Sequence, residues 1–204
     1  MNFELIDNCF QIAVLMCSAI AAIAATFRHK DRCFLILALF YICVSMGTLY
    51  WVLYLFLLGS VPQVFYVSEF SWLAAYLFPL SFQMVRTDQI RPFFSLISLS
   101  GALFTAAIVL GFRIFGPSYL ISMAFAGVVS VIVYLAVWRL RCRGDGRLID
   151  CWLLLCVGLQ LLLYVVSGFI QDYTCFNLYF AVDITLTFSF AALLPLALWE
   201  VEAK

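Results

Sequence analysis

The sequence predicts an all-α integral membrane protein: one bundle of seven transmembrane helices, amino terminus outside and carboxyl terminus in the cytoplasm. Three observations predict it. Of 204 residues, 67% are hydrophobic and 11% charged, with a mean hydropathy of +1.12. Soluble domains carry roughly 45–50% apolar and about 25% charged residues because water must wet their surfaces, so lipid is the solvent here. The apolar residues form seven continuous runs, each near the roughly 20 residues that a helix needs to cross the hydrocarbon layer. Ten of the eleven Lys and Arg residues fall in alternate connections or at the carboxyl end.

The runs follow in order. The first, 5–27, is expected to be retained as a helix, since Met1-Asn2-Phe3-Glu4 lacks the basic start of a secretion signal. Arg28-His29-Lys30-Asp31-Arg32 ends it, and the second run, 33–58, closes on Gly59-Ser60-Val61-Pro62-Gln63, a turn by its Gly and Pro. Runs 64–86, 92–112 and 117–139 are divided by Arg86 to Pro92 and by Arg113 to Pro117. Arg139 to Arg147 leads to run 148–170, and Gln171 to Thr174 to the last, 174–198. Barrel strands would instead alternate over about ten residues. Connections this short leave a single domain, 1–204.

Basic residues stay on the cytoplasmic side of a membrane, which sets the orientation. Arg28, Lys30, Arg32, Arg86, Arg91, Arg139, Arg141, Arg143, Arg147 and Lys204 share one side; Arg113 alone lies on the other. That outer half holds five acids, Glu4, Asp7, Glu69, Asp172 and Asp183. The lipid bilayer is the expected partner, and no nucleic acid is. Helices one to three and five to seven also echo each other. Asp31-Arg32-Cys33 opens the second helix and Asp150-Cys151 the sixth, while the third carries Glu69 then Pro79 and the seventh Asp183 then Pro195. Such an echo is the mark of a 3+1+3 parallel repeat.

Asp183 lies nine residues into the seventh run, about 13 Å below its outer boundary at 1.5 Å per residue. A charge at such depth needs protonation, a partner or water, so Asp183 is expected to face the bundle interior. Tyr179 and Thr187, one turn away on either side, share its face. Glu69 enters the third helix ahead of Trp72 and Tyr76. Asp7, Asn8 and Gln11 lie together on the first helix, and Gln160 is near mid-membrane, where an amide joins helices or lines a path. Asp183, Glu69, Trp72, Tyr76, Tyr179, Thr187, Asp7, Gln11 and Gln160 are thus the candidate ligand-binding residues, around an outward-opening polar cavity between helices one, three and seven. Arg113 is the outer cation available to neutralise Glu69, Asp172 or Asp7. Small residues at Cys17-Ala21-Ala25 and Ser122-Ala126-Ser130 allow close helix approach.

Several chemistries are excluded. His29 is the sole histidine, which rules out histidine-based zinc hydrolysis and bis-histidine haem ligation. The eight cysteines show no metal spacing, and Cys9 with Cys175 is the pair placed to bond if helices one and seven adjoin. The two lysines, Lys30 and Lys204, both lie outside the runs, so a retinal Schiff base cannot form. No cofactor and no metal is expected, and no nucleophile and base pair suggests an enzyme.

From Gly47 to Gln83 the chain carries Gly47-Thr48-Leu49-Tyr50-Trp51-Val52-Leu53-Tyr54, then Gly59 and Pro62, then Val67-Ser68-Glu69-Phe70-Ser71-Trp72-Leu73-Ala74-Ala75-Tyr76. This fifth of the chain resembles the second-to-third-helix segment of bacterial multi-helix sensor regions that precede diguanylate cyclase or histidine kinase domains. The resemblance implies a seven-helix sensing module of the bacterial inner membrane. With no cyclase or kinase after Leu198, signalling is expected to use a separate cytoplasmic partner, or a homodimer. The negative outer half favours a cationic or zwitterionic ligand. The alternative is a small 3+1+3 transporter of such a solute, with Asp183 and Gln160 lining its path.

Overall fold

A computed structural model describes residues 3–59, 66–87, 94–112, 119–142, 147–170 and 172–202. Each apolar run is a helix: α1 Phe3–His29, α2 Arg32–Leu58, α3 Tyr66–Thr87, α4 Leu96–Gly111, α5 Tyr119–Arg141, α6 Arg147–Ser167 and α7 Leu178–Glu202. Five of them, α1, α2, α5, α6 and α7, are long and apolar enough to cross a membrane. α4 is a shorter apolar helix of 16 residues, and α3 carries Glu69, Gln83 and Arg86 along its 22.

The helix ends follow from local chemistry. Asp31 accepts a hydrogen bond from the Cys33 amide at 2.8 Å and starts α2, while Gly59, with φ of 63°, ends it in the left-handed region that suits glycine. Ser95 caps α4, and the Asn177 side chain accepts from the Tyr179 amide at the start of α7. Capping of this kind satisfies amides that the helix itself leaves orphaned.

Six helices form a closed ring in the order α1, α2, α3, α5, α6, α7, with α7 returning to α1. α4 sits outside the ring on α5, and α2 reaches across the interior to α7. Directions alternate along the chain. At one end, the start of α1 meets the end of α2 through Trp51 and Glu4, and meets the residues before α7 through Phe3 and Thr174. At the other end, the ends of α3 and α5 meet the start of α6, and the end of α7 meets the end of α3.

The interior is aromatic and aliphatic: Phe34, Phe40, Tyr41, Phe82, Phe125, Phe180, Leu15 and Leu186 are essentially fully buried. Edge-to-face pairs such as Phe40 with Phe190 at 5.0 Å and Tyr76 with Phe125 at 5.1 Å interlock α2, α3, α5 and α7. Large apolar side chains also cover the outside, with Phe27, Phe56 and Leu120 each at least three-quarters exposed. A surface of that kind suits lipid. On α1 the buried stripe is Leu15, Ala19, Ala22 and Ala25, whereas Cys17 and Ala21 of the expected stripe face outward. The difference arises because Asp7 and Gln11 turn inward and set the rotation of the helix. On α5, Ser122 and Ala126 are buried as expected. Cys9 and Cys175 are free thiols, so the two do not bond although α1 and α7 adjoin.

The α2–α3 seam depends on one missing side chain. A β-carbon on Gly47 would lie 2.7 Å from Trp72 Nε1 and 3.1 Å from Ser71 Cβ. Ser71 donates to the Cys43 carbonyl at 2.7 Å and Ser68 to the Gly47 carbonyl at 3.3 Å, so the two helices are bonded where they touch. Replacing Gly47 by Leu should therefore push Trp72 out of the seam and cost about 1–3 kcal/mol, read as a lower unfolding midpoint in detergent. A variant as stable as the parent would show that the seam tolerates the added volume.

Candidate functional site

Among the described residues, two polar clusters and one bridging pair join helices of the ring. The first is near the end where α1 and α7 start. Gln11 of α1 is its hub: its amide nitrogen donates to Asp183 Oδ1 at 3.3 Å and to Thr187 Oγ1 at 3.2 Å, both on α7. Its amide oxygen accepts from Thr48 of α2 at 2.6 Å. Asp7, one turn before Gln11, lies within electrostatic reach of Asp183, so two carboxyls are buried side by side. All five side chains are buried. Two carboxyls placed side by side among neutral partners repel one another when both are ionised, so the arrangement suits a proton or one small cation between α1 and α7.

The expected residues are only partly brought together. Asp183, Thr187, Asp7 and Gln11 form the cluster as the helical spacing implies. Tyr179 stands within electrostatic reach of Asp183 and packs edge-on to Tyr173 at 5.2 Å. Asn8 instead bonds the Glu4 carbonyl of its own helix. Tyr76 and Gln160 lie in a separate place, where the tyrosine hydroxyl donates to the amide oxygen at 2.8 Å and ties α3 to α6. Trp72 is held in the α2–α3 seam. Glu69 is half-buried near the start of α3 and makes no hydrogen bond or ion pair to a described residue.

The hydrogen bonds of Asp183 and Gln11 run along a seam between α1, α2 and α7. Thr48 of α2, which stands between α1 and α3 in the ring, joins the network where Glu69 does not. Thr48 and Tyr164 are the residues that sequence reasoning missed. Tyr164 bonds Gln160 and lies within electrostatic reach of both Glu69 and Asp183. Arg113 lies outside the described residues. Asp172, in the loop before α7, accepts instead from the Thr174 hydroxyl and amide, which hold its carboxyl below the usual range.

The second cluster, at the opposite end, was not anticipated as a unit. Asp150, in the first turn of α6 and 1% exposed, accepts from Arg86 of α3 at 2.9 Å and from Arg139 of α5 at 3.1 Å. Gln83 of α3 adds a donor at 2.9 Å. Arg86 also pairs with Glu200 of α7 at 2.8 Å, and Arg139 donates to the Arg86 carbonyl. Among the described residues the group pairs two guanidinium groups with two carboxylates. Its sequence signal was an acid and two arginines at the ends of helices that the alternation brings to one side, but their charges read first as orientation signals.

No protein-family model, curated protein or solved structure matches this chain.

The two kinds of contact should differ in weight. Asp150→Ala leaves two guanidinium groups without their shared carboxylate and should cost about 3–5 kcal/mol. Tyr76→Phe removes one interhelical hydrogen bond and should cost about 0.6–1.7 kcal/mol. Reversible unfolding in mixed micelles measures both; equal losses would contradict the ranking.

Proposed function

We propose that this chain is a membrane-embedded sensing or ligand-binding module of the bacterial inner membrane, all seven helices spanning, with the amino terminus outside. Recognition takes place at Asp7, Gln11, Thr48, Asp183 and Thr187, without catalysis, and the ligand is a small cationic or zwitterionic solute or a proton. The observation that carries this reading is the pair of buried acids, Asp7 and Asp183, set among the neutral donors Gln11, Thr48 and Thr187. A carboxyl pair in an apolar seam has a low-cost way to accept positive charge and none to accept negative charge. Tyr179 and Tyr164 supply aromatic surface beside it, which also suits a cation.

Sensing is favoured over transport because the far end of the bundle is closed by ion pairs joining α3, α5, α6 and α7. The seam between α2 and α3 that carries the resemblance to sensor regions is also a real packing unit, with Trp51 and Trp72 at 6.2 Å. A separate cytoplasmic partner, or a second copy of the chain, would read the state of the basic end. Transport has one observation in its favour: the ring gives α1–α3 and α5–α7 equivalent neighbours with α4 left outside, as a 3+1+3 repeat requires.

The test pairs binding with flux. Purified protein in nanodiscs is screened by thermal shift against amines, amino acids and inorganic cations over a range of pH, beside uptake of the same solutes into proteoliposomes. A stabilising shift in the parent, lost in Asp183→Asn and unaccompanied by flux, is the expected result. Flux that Asp183→Asn abolishes would establish the transporter, and an unchanged shift in Asp183→Asn would remove the site.

A further inference from the structure

We propose that the end of α7 beyond Pro195 is a hinged latch, closed over a cleft at the basic end of the bundle by the Arg86–Glu200 ion pair. The cleft is lined by Cys33 and Phe34 from α2, Phe82 from α3, and Ala197, Glu200 and Val201 from α7. One wall is therefore the last turns of α7, and the other belongs to the body of the bundle.

Three features make that wall movable. Proline has no amide hydrogen, so Pro195 leaves the Ala191 carbonyl without its helical donor and weakens α7 five residues before Glu200. Pro79 does the same in α3, seven residues before Arg86. The ion pair thus joins the tips of the two proline-interrupted helices. The pair is also the outermost link of the charged cluster: the Glu200 side chain is 13% exposed, against 1% for Asp150. When Glu200 swings out it meets water first, while Arg86 keeps Asp150 as its counter-ion. Opening at Asp150 would instead strand two guanidinium groups, so the cluster has one weak side, and α7 is on it. Movement of a helix tip about such a point is a hinge in the ordinary sense. The latch does not depend on which ligand the opposite end takes.

Cys33 reports the opening directly, because its half-buried thiol lines the cleft. The full chain, with the other seven cysteines changed to Ala, is reconstituted in nanodiscs and labelled with a small water-soluble maleimide. Glu200→Gln should raise the rate of labelling at Cys33 by about fivefold or more, and Pro195→Ala, which restores the missing hydrogen bond, should lower it by about threefold. Labelling of Glu200→Gln within about twofold of the parent would overturn the latch. An unchanged or faster rate in Pro195→Ala would do the same, and this variant decides alone if Glu200→Gln does not fold.

Discussion

Asp150 is a carboxylate almost wholly removed from solvent, and burying a charge is costly unless opposite charge lies against it. That requirement draws the ends of α3 and α5 onto the start of α6 and, through Arg86, draws in the end of α7. Four helices that share no sequence signal with one another are thereby fixed at one end of the ring. The helices between these anchors have only van der Waals contact and hydrogen bonding to hold them, since lipid is as apolar as they are. Hence the weight on close-fitting features such as Gly47 under Trp72, and on hydrogen bonds from Tyr41 to the Phe190 carbonyl at 2.9 Å and from Trp152 to the Ser189 carbonyl at 2.7 Å.

The two polar clusters obey different electrostatics. At the Asp150 end, acids and guanidinium groups balance, and nothing further is needed. At the other end, Asp7 and Asp183 are surrounded by an amide and hydroxyls, which orient a charge without cancelling it. A cluster of the first kind holds a structure shut, and one of the second kind responds to what enters it. α7, running from Asp183 to Glu200, joins the two clusters; under the proposed function a change at the carboxyl pair would alter how α7 packs on α1 and so reach the proposed latch. Such a link earns the word coupling only when both sites bias the same two-state element.

Helix count and boundaries were legible because continuous apolar runs bounded by charges leave one structural solution in lipid. The inward face of α7 was legible too, since burying Asp183 carries Thr187 with it by helical spacing. Helix order was not. Nothing in the sequence says that α2 separates α1 from α3, so Glu69 and Trp72 were grouped with Asp183, whereas the hydrogen bonds there come from Gln11, Thr48 and Thr187. Thr48 was passed over because a threonine in an apolar run looks like filler until its partner, Gln11, is known. The Asp150 cluster was hidden for a different reason: Arg86 and Arg139 already had an explanation as cytoplasmic charges, and a residue with one explanation invites no second.

The central claim is that Asp7 and Asp183 are kept for what they bind and not for holding α1 to α7. The most direct measurement is the unfolding free energy of the Asp7→Leu/Asp183→Leu double variant in micelles. Apolar replacement of a buried polar group that serves a ligand is neutral or stabilising, because its desolvation was a cost to the fold. The account expects stability equal to or above the parent's, with ligand-induced stabilisation gone. A loss of more than about 2 kcal/mol, beyond what the repacking of similar volumes costs, would make the pair structural glue and contradict it.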